Sequence, residues 1–161
     1  MPTVIEVTIF GDPKGQPRPR AFARRMGSKF VARVYDSDVA DEWKGAVDGA
    51  LLTRAISNEL KLREGPFAVA MEFVFERPKS HFDARGLVRR QRSPAHLQKP
   101  DLDNLAKLIL DRITRSGRYW NDDSQVVSLQ VSKHWRIDAG QSYCTLRIEY
   151  RGEENTLTKP T

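Results

Sequence analysis

From residue 101 to 114 the chain places Leu102, Leu105, Leu108, Ile109 and Ile113 at three- and four-residue spacing. That repeat gathers apolar side chains on one face of a helix. Interleaved with it are Asp101, Asp103, Lys107 and Asp111. A helix that is apolar on one side and charged on the other must lie on a packed layer with its charges turned outward, so the rest of the chain has to supply that layer. Phe67, Val69, Met71, Phe73 and Phe75 alternate with smaller or polar residues and read as a half-buried strand of it.

In chain order, Thr3–Phe10 reads as a first strand, ended by Gly11-Asp12-Pro13. Lys14-Gly15-Gln16-Pro17-Arg18-Pro19-Arg20 excludes a regular helix or a central strand and reads as an extended cationic loop. Phe30–Tyr35 is a short strand, which makes the basic stretch before it a long connection. Asp36, Ser37 and Asp38 are capping residues for a helix over Val39–Ile56, with Val39, Trp43, Ala46, Val47, Ala50, Leu51 and Ala55 inward. Gly65-Pro66 breaks the chain before the alternating strand. Residues 77–99 have no period and read as a long basic loop, disordered when unbound, with His81 and His96 solvated.

The acid-rich helix then runs over Asp103–Thr114 and stops at Gly117. Val126–Trp135 and Ser142–Tyr150 read as strands paired in a hairpin through Asp138-Ala139-Gly140. The expected fold is α+β: a single domain over 1–151 with a mixed or antiparallel sheet packed against two main helices, followed by a polar, disordered tail at 152–161.

Charge narrows the function. The chain carries a formal net charge of +6, but its distribution matters more than its total. Residues 14–33 and 77–99 hold fourteen lysines and arginines against Asp83 alone, and the remainder is net acidic. Such segregation points to a polyanionic partner. No apolar run reaches the ~20 residues of a membrane helix, and no secretory signal is visible at the start. The single cysteine, Cys144, excludes an internal disulfide or a cysteine-based metal cage.

The acids need their own account. Asp103 stands where an N-cap belongs, and Asp103, Lys107 and Asp111 are spaced for helix ion pairs. Neither explains Asp101. A second acidic element, Asp122-Asp123, follows twenty residues after Asp103. The helix is roughly 18 Å long, and residues 116–123 reach up to roughly 26 Å when extended. The chain can therefore return and bring Asp122 or Asp123 towards Asp101 and Asp103. Three close carboxylates are costly unless a divalent cation neutralises them. All-oxygen ligation suits Mg²⁺, or Mn²⁺, rather than zinc.

Lys99-Pro100-Asp101-Leu102-Asp103-Asn104-Leu105-Ala106-Lys107, then Asp111, then Asn121-Asp122-Asp123-Ser124-Gln125-Val126-Val127, resembles the signature of RusA-type Holliday junction resolvases. Pro13–Arg20 is similar to the basic loop of phage-encoded members. The resemblance implies a homodimeric, Mg²⁺-dependent endonuclease, cytoplasmic in a bacterium or phage-encoded, that nicks four-way DNA junctions symmetrically. By motif, Asp101, Asp103 and Asp123 are the metal-binding catalytic carboxylates and Lys107 the catalytic lysine. Lys14, Arg18, Arg20, Arg24, Arg25, Arg89, Arg90 and Arg92 are the expected DNA contacts. Two rivals stand beside this: a broader branched-DNA nuclease acting on flaps or forks, and a non-catalytic DNA-binding module whose acids only cap and pair.

Overall fold

The computed structural model describes residues 4–17, 20–27, 29–35, 38–57 and 64–152. For residues 20–24, 26, 30–35 and 55–57 it describes the backbone alone. The tail beyond residue 152 and Arg18 lie outside the described residues.

The strands are β1 (Val4–Phe10), β2 (Arg20–Met26), β3 (Lys29–Tyr35), β4 (Phe67–Phe75), β5 (Val126–Trp135) and β6 (Tyr143–Tyr150). The helices are α1 (Asp41–Ser57), entered through a 3₁₀ turn at Asp38–Ala40, and α2 (Leu102–Ser116). One mixed sheet has the order β1-β6-β4-β5, with β4 and β5 parallel and the other pairs antiparallel. This bears out the α+β expectation.

Two expected connections are different. β5 and β6 do not pair, because β4 lies between them. The reason is in β4 itself: Ala68 and Val74 are buried along with the alternating set, and Glu72 is its one charge. A strand so apolar on both faces takes a central place, and its parallel partner β5 is reached by the crossover through α2. The second difference is the basic stretch, which is not a long connection. Arg20–Met26 is itself a strand, paired with Lys29–Tyr35 in a separate two-stranded sheet turned at Gly27, φ +65°.

The core lies between one sheet face and the two helices. Ile9, Cys144 and Phe73 form one cross-strand row, and Val69 and Ile148 part of another. Trp43, Val47 and Leu51 of α1 and Leu105, Leu108, Ile109 and Ile113 of α2 cover them. Each such side chain contributes about 1.5–3 kcal/mol on burial, so the apolar stripe fixes which way α2 faces. Val39, expected on the inner face of the first helix, is exposed in the entry turn.

Candidate metal and nucleic-acid site

The approach to α2 is held from the sheet. Lys133, on the helix-side face of β5 between Val131 and Trp135, donates its Nζ to the carbonyls of Gln98 (2.7 Å) and Pro100 (2.8 Å). The basic N-terminal loop closes from the other side, where Gln16 N–H donates to the Asn104 carbonyl at 3.1 Å. Gly15 fits here because it lacks a side chain: a Cβ would stand 2.4 Å from Asn104 Nδ2.

The N-cap of α2 is Asp101, in extended backbone (φ −70°, ψ 147°), and its side chain makes no capping bond. Asp103, expected as the cap, is already inside the first turn and exposed. Lys107 and Asp111 follow on the same outward row. The side chains of Asp101, Asp103, Lys107 and Asp111 make no hydrogen bond or ion pair to any described residue; the only ion pair α2 makes among the described residues, between Arg112 and Asp48 of α1, lies off this row. Both structural explanations of the acids, capping and i,i+4 pairing, are therefore unused in the fold.

After Gly117 closes α2 in left-handed backbone, two buried aromatics direct the return. Tyr119 donates its hydroxyl to the Leu51 carbonyl (3.0 Å) and Trp120 its Nε1–H to Thr114 Oγ1 (2.7 Å). A 3₁₀ turn, Asp123–Gln125, comes next, and it separates two neighbouring acids. Asp122 caps it: its carboxylate accepts the Ser124 N–H at 2.9 Å, while Gln125 Oε1 accepts the Asn121 N–H at 2.8 Å. The bonds from Ser124 hold the Asp122 carboxyl below the usual range. Asp123 is exposed and, as in the α2 row, its side chain makes no bond to a described residue.

Asp122 and Asp123 line a cleft of about 490 Å³ with Gln16, Asp111, Thr114 and Arg115. The return thus runs beside the second half of α2. Asp111 is eight residues beyond Asp103, about 12 Å along the axis. No group of three or more His, Cys, Asp or Glu among the described residues stands close enough to hold a metal ion. The donor chemistry nonetheless suits a hard cation, since Asp101, Asp103, Asp111 and Asp123 are uncommitted carboxylates. Mg²⁺ commonly takes one or two such groups and fills its other positions with water and substrate phosphate. Gln16, Asn104, Asp111 and Lys133 were not among the expected site residues. A lysine at an inward position of β5 was the one legible sign.

The expected cations among the described residues lie on the N-terminal loop, on β2 and on the 77–99 loop. Lys14 is paired with Asp12. Arg20 and Arg24 belong to β2, and Arg25 there is exposed, its Nε donating to the Gly27 carbonyl at 3.2 Å. Arg89, Arg90 and Arg92 are exposed on the 77–99 loop. That loop is folded, contrary to expectation. Asp83 accepts the backbone N–H groups of Arg85 and Leu87, and Ala95 bridges to His134 of β5. His96 is 5% exposed, not solvated, and stacks on Phe75 (4.1 Å between centroids) and against Trp135 (4.2 Å). Burial, with Lys133 nearby, pushes its pKa down. Aromatic packing at the loop's far end, invisible in its charge pattern, orders the segment.

The α2 row carries charge that the fold itself leaves unused. Comparison with known families identifies the class of protein. Residues 11–142 match the family model Endodeoxyribonuclease RusA, and the chain belongs to that family. It is an endodeoxyribonuclease. No curated protein matches the chain. Among the described residues no helix is long and apolar enough to cross a membrane.

Proposed function

We propose that the chain resolves four-way DNA junctions by paired symmetric nicks, as a homodimer dependent on a divalent cation, Mg²⁺ or alternatively Mn²⁺. The observation that carries this is the set of exposed carboxylates that folding leaves unbonded, Asp101, Asp103 and Asp123, in a member of an endodeoxyribonuclease family. These three are the carboxylates we assign to the cation; since no three acids among the described residues converge, one or two of them would bind it directly, with water and phosphate oxygens in its other positions. When bound, a divalent cation supplies charge neutralisation to the phosphate and acidity to the attacking water.

The chain's own residues do the rest. Lys133 and Gln16 fix the backbone on either side of Asp101 and Asn104, so the start of α2, with Asp101 and Asp103, is held in place. Lys107, whose side chain is unpaired by any described residue, stabilises negative charge as the phosphodiester reacts. Arg25, Arg89, Arg90 and Arg92 would track the backbone, with Lys14, Arg18, Arg20 and Arg24 from the N-terminal basic stretch. Phosphate contacts of this kind make binding strongly salt-dependent. Two nicks across a two-fold junction call for two sites, which a symmetric dimer provides.

The test uses a labelled four-way junction, a fork, a flap and a linear duplex, each with Mg²⁺ or with chelator. Paired nicks on the junction alone, with metal, support the proposal. Equal cutting of forks and flaps makes it a broader branched-DNA nuclease. Tight junction binding with no cutting sinks it.

A further inference from the structure

A second polar cavity, of about 950 Å³, opens beside Pro100 at the end of β4 and β5. Lys14, Arg77, Lys79, Arg92 and Lys99 line it, against two acids. Of these acids Asp12 is spent on Lys14, and Glu76 is exposed. Its floor is the Phe75–His96–Trp135 stack. Arg77 is the telling residue. It is 6% exposed, yet it makes no ion pair with any described carboxylate. Its Nε donates to the Arg136 carbonyl, one Nη donates to the Ser93 carbonyl, and the same nitrogen meets His81 Nδ1 at 3.3 Å.

A buried guanidinium answered only by neutral groups keeps an uncompensated charge, and buried charges are ordinarily paired. Three further cations, Lys79, Arg92 and Lys99, face the same space without a carboxylate of their own. The rings beneath cannot accept a stacked base, because His96 and His81 already cover Trp135. What the cavity lacks is an anion with several oxygens.

We infer that this cavity is a phosphate-binding site, separate from the carboxylate row, centred on Arg77 and rimmed by Lys79, Arg92 and Lys99. The inference deepens the nuclease reading, on which it rests for its substrate: a strand reaching Asp101 past Pro100 would leave a neighbouring phosphate here. The phosphate has two sources, an internal phosphodiester of the bound strand or the terminal phosphate of a nicked end.

The test is a titration of the metal-free protein in chelator, read by the ring signals of its three histidines. The probes are inorganic phosphate, the dinucleotide TpT and its 5′-phosphorylated form pTpT. His81 and His96 border the cavity, whereas His134 faces Glu72 on the other side of the sheet and serves as control. Probe-dependent shifts at His81 and His96 alone are expected. Lys79→Ala and Arg92→Ala should each weaken them about tenfold, the worth of one charged hydrogen bond. These rim variants are chosen because Arg77 also holds loop carbonyls. A response to TpT assigns an internal phosphodiester; a response to phosphate and pTpT alone assigns a nicked end. No shift with any probe, equal movement of His134, or affinity unchanged in both variants overturns the inference. Junction nicking is scored separately: phosphate binding without nicking removes the nuclease reading and leaves this site, and the reverse removes this site alone.

Discussion

The outward row of α2 and the 77–99 loop before it carry opposite charge, and they differ more in what that charge does. On α2, the side chains of Asp101, Asp103, Lys107 and Asp111 bond to no described residue. In the loop, Asp83 gathers two backbone N–H groups, Arg89 donates to the Phe82 carbonyl at 3.0 Å, and Arg77 holds the chain at Ser93 and Arg136. Charge bonded within the fold supports stability. Charge left unbonded gives folding almost nothing, so its removal should be felt in function alone. The comparison therefore makes stability and activity separable, residue by residue.

The largest effect should come from Asp103→Asn. Nicking is expected to fall at least about a hundredfold, roughly 2.7 kcal/mol of barrier, while the urea midpoint moves by no more than about 0.5 kcal/mol. Junction affinity in chelator should hold or rise, because a charge repelling phosphate is gone. A matching loss of stability would show that Asp103 serves the fold and would break the comparison. Asp48→Ala, on α1 and paired with Arg112 of α2, is the opposite case. Its carboxylate receives both Nε and an Nη of Arg112 and raises the Arg112 pKa, joining α1 to α2 in a partly buried pair. Its loss should cost about 1–3 kcal/mol in urea unfolding.

The elements that position the site were readable because they obey simple periods. The stripe Leu105, Leu108, Ile109, Ile113 oriented α2 correctly, and Gly117 stops it in the left-handed backbone expected there. The misreadings share a cause, in that each depended on a distant partner. β6 lies beside β4 because Ala68 and Val74 make β4 apolar on its second face, a contrast that alternation alone conceals. The loop is ordered because His96 finds Phe75 and Trp135, about twenty and forty residues away. Asp103 missed the cap position because α2 already starts at Leu102, which sets the cap two residues earlier, at Asp101. Asp123 and Lys107 were reached only through resemblance, since nothing local separates Asp123 from Asp122.

The structure makes that last pair the sharpest single contrast. Asp122→Ala removes the cap of the 3₁₀ turn and should lower the urea midpoint, with nicking lowered only as far as the turn is loosened. Asp123→Asn should leave the urea midpoint in place and abolish most nicking. Single-turnover rates beside unfolding curves for the two neighbours decide it, and an exchanged pattern would move the catalytic role to Asp122.

The smallest effect expected is a pH dependence confined to the loop side. His96 is packed by Phe75 and Trp135, faces Lys133 from β5, and has Asp12 as its acidic neighbour from the end of β1. Burial and Lys133 outweigh Asp12 and the nearby carbonyls of Gln98 and of His96 itself, so the folded ring has a lowered pKa. His81, beside Arg77 and Arg92, is shifted the same way. A histidine kept neutral in the fold takes up its proton more readily when unfolded, so the unfolded state binds more protons in the interval between the two pKa values. Stability is then complete above the ordinary histidine pKa of about 6.5, declines as pH falls from there towards the folded value, and levels off below it. His96→Phe preserves the ring stack without a titrating group and should flatten part of that slope in urea unfolding between neutral and mildly acidic pH, with His81→Gln removing more. An unchanged slope in His96→Phe would mean that the loop's order does not depend on a neutral ring, and that the boundary between bonded and unbonded charge runs elsewhere.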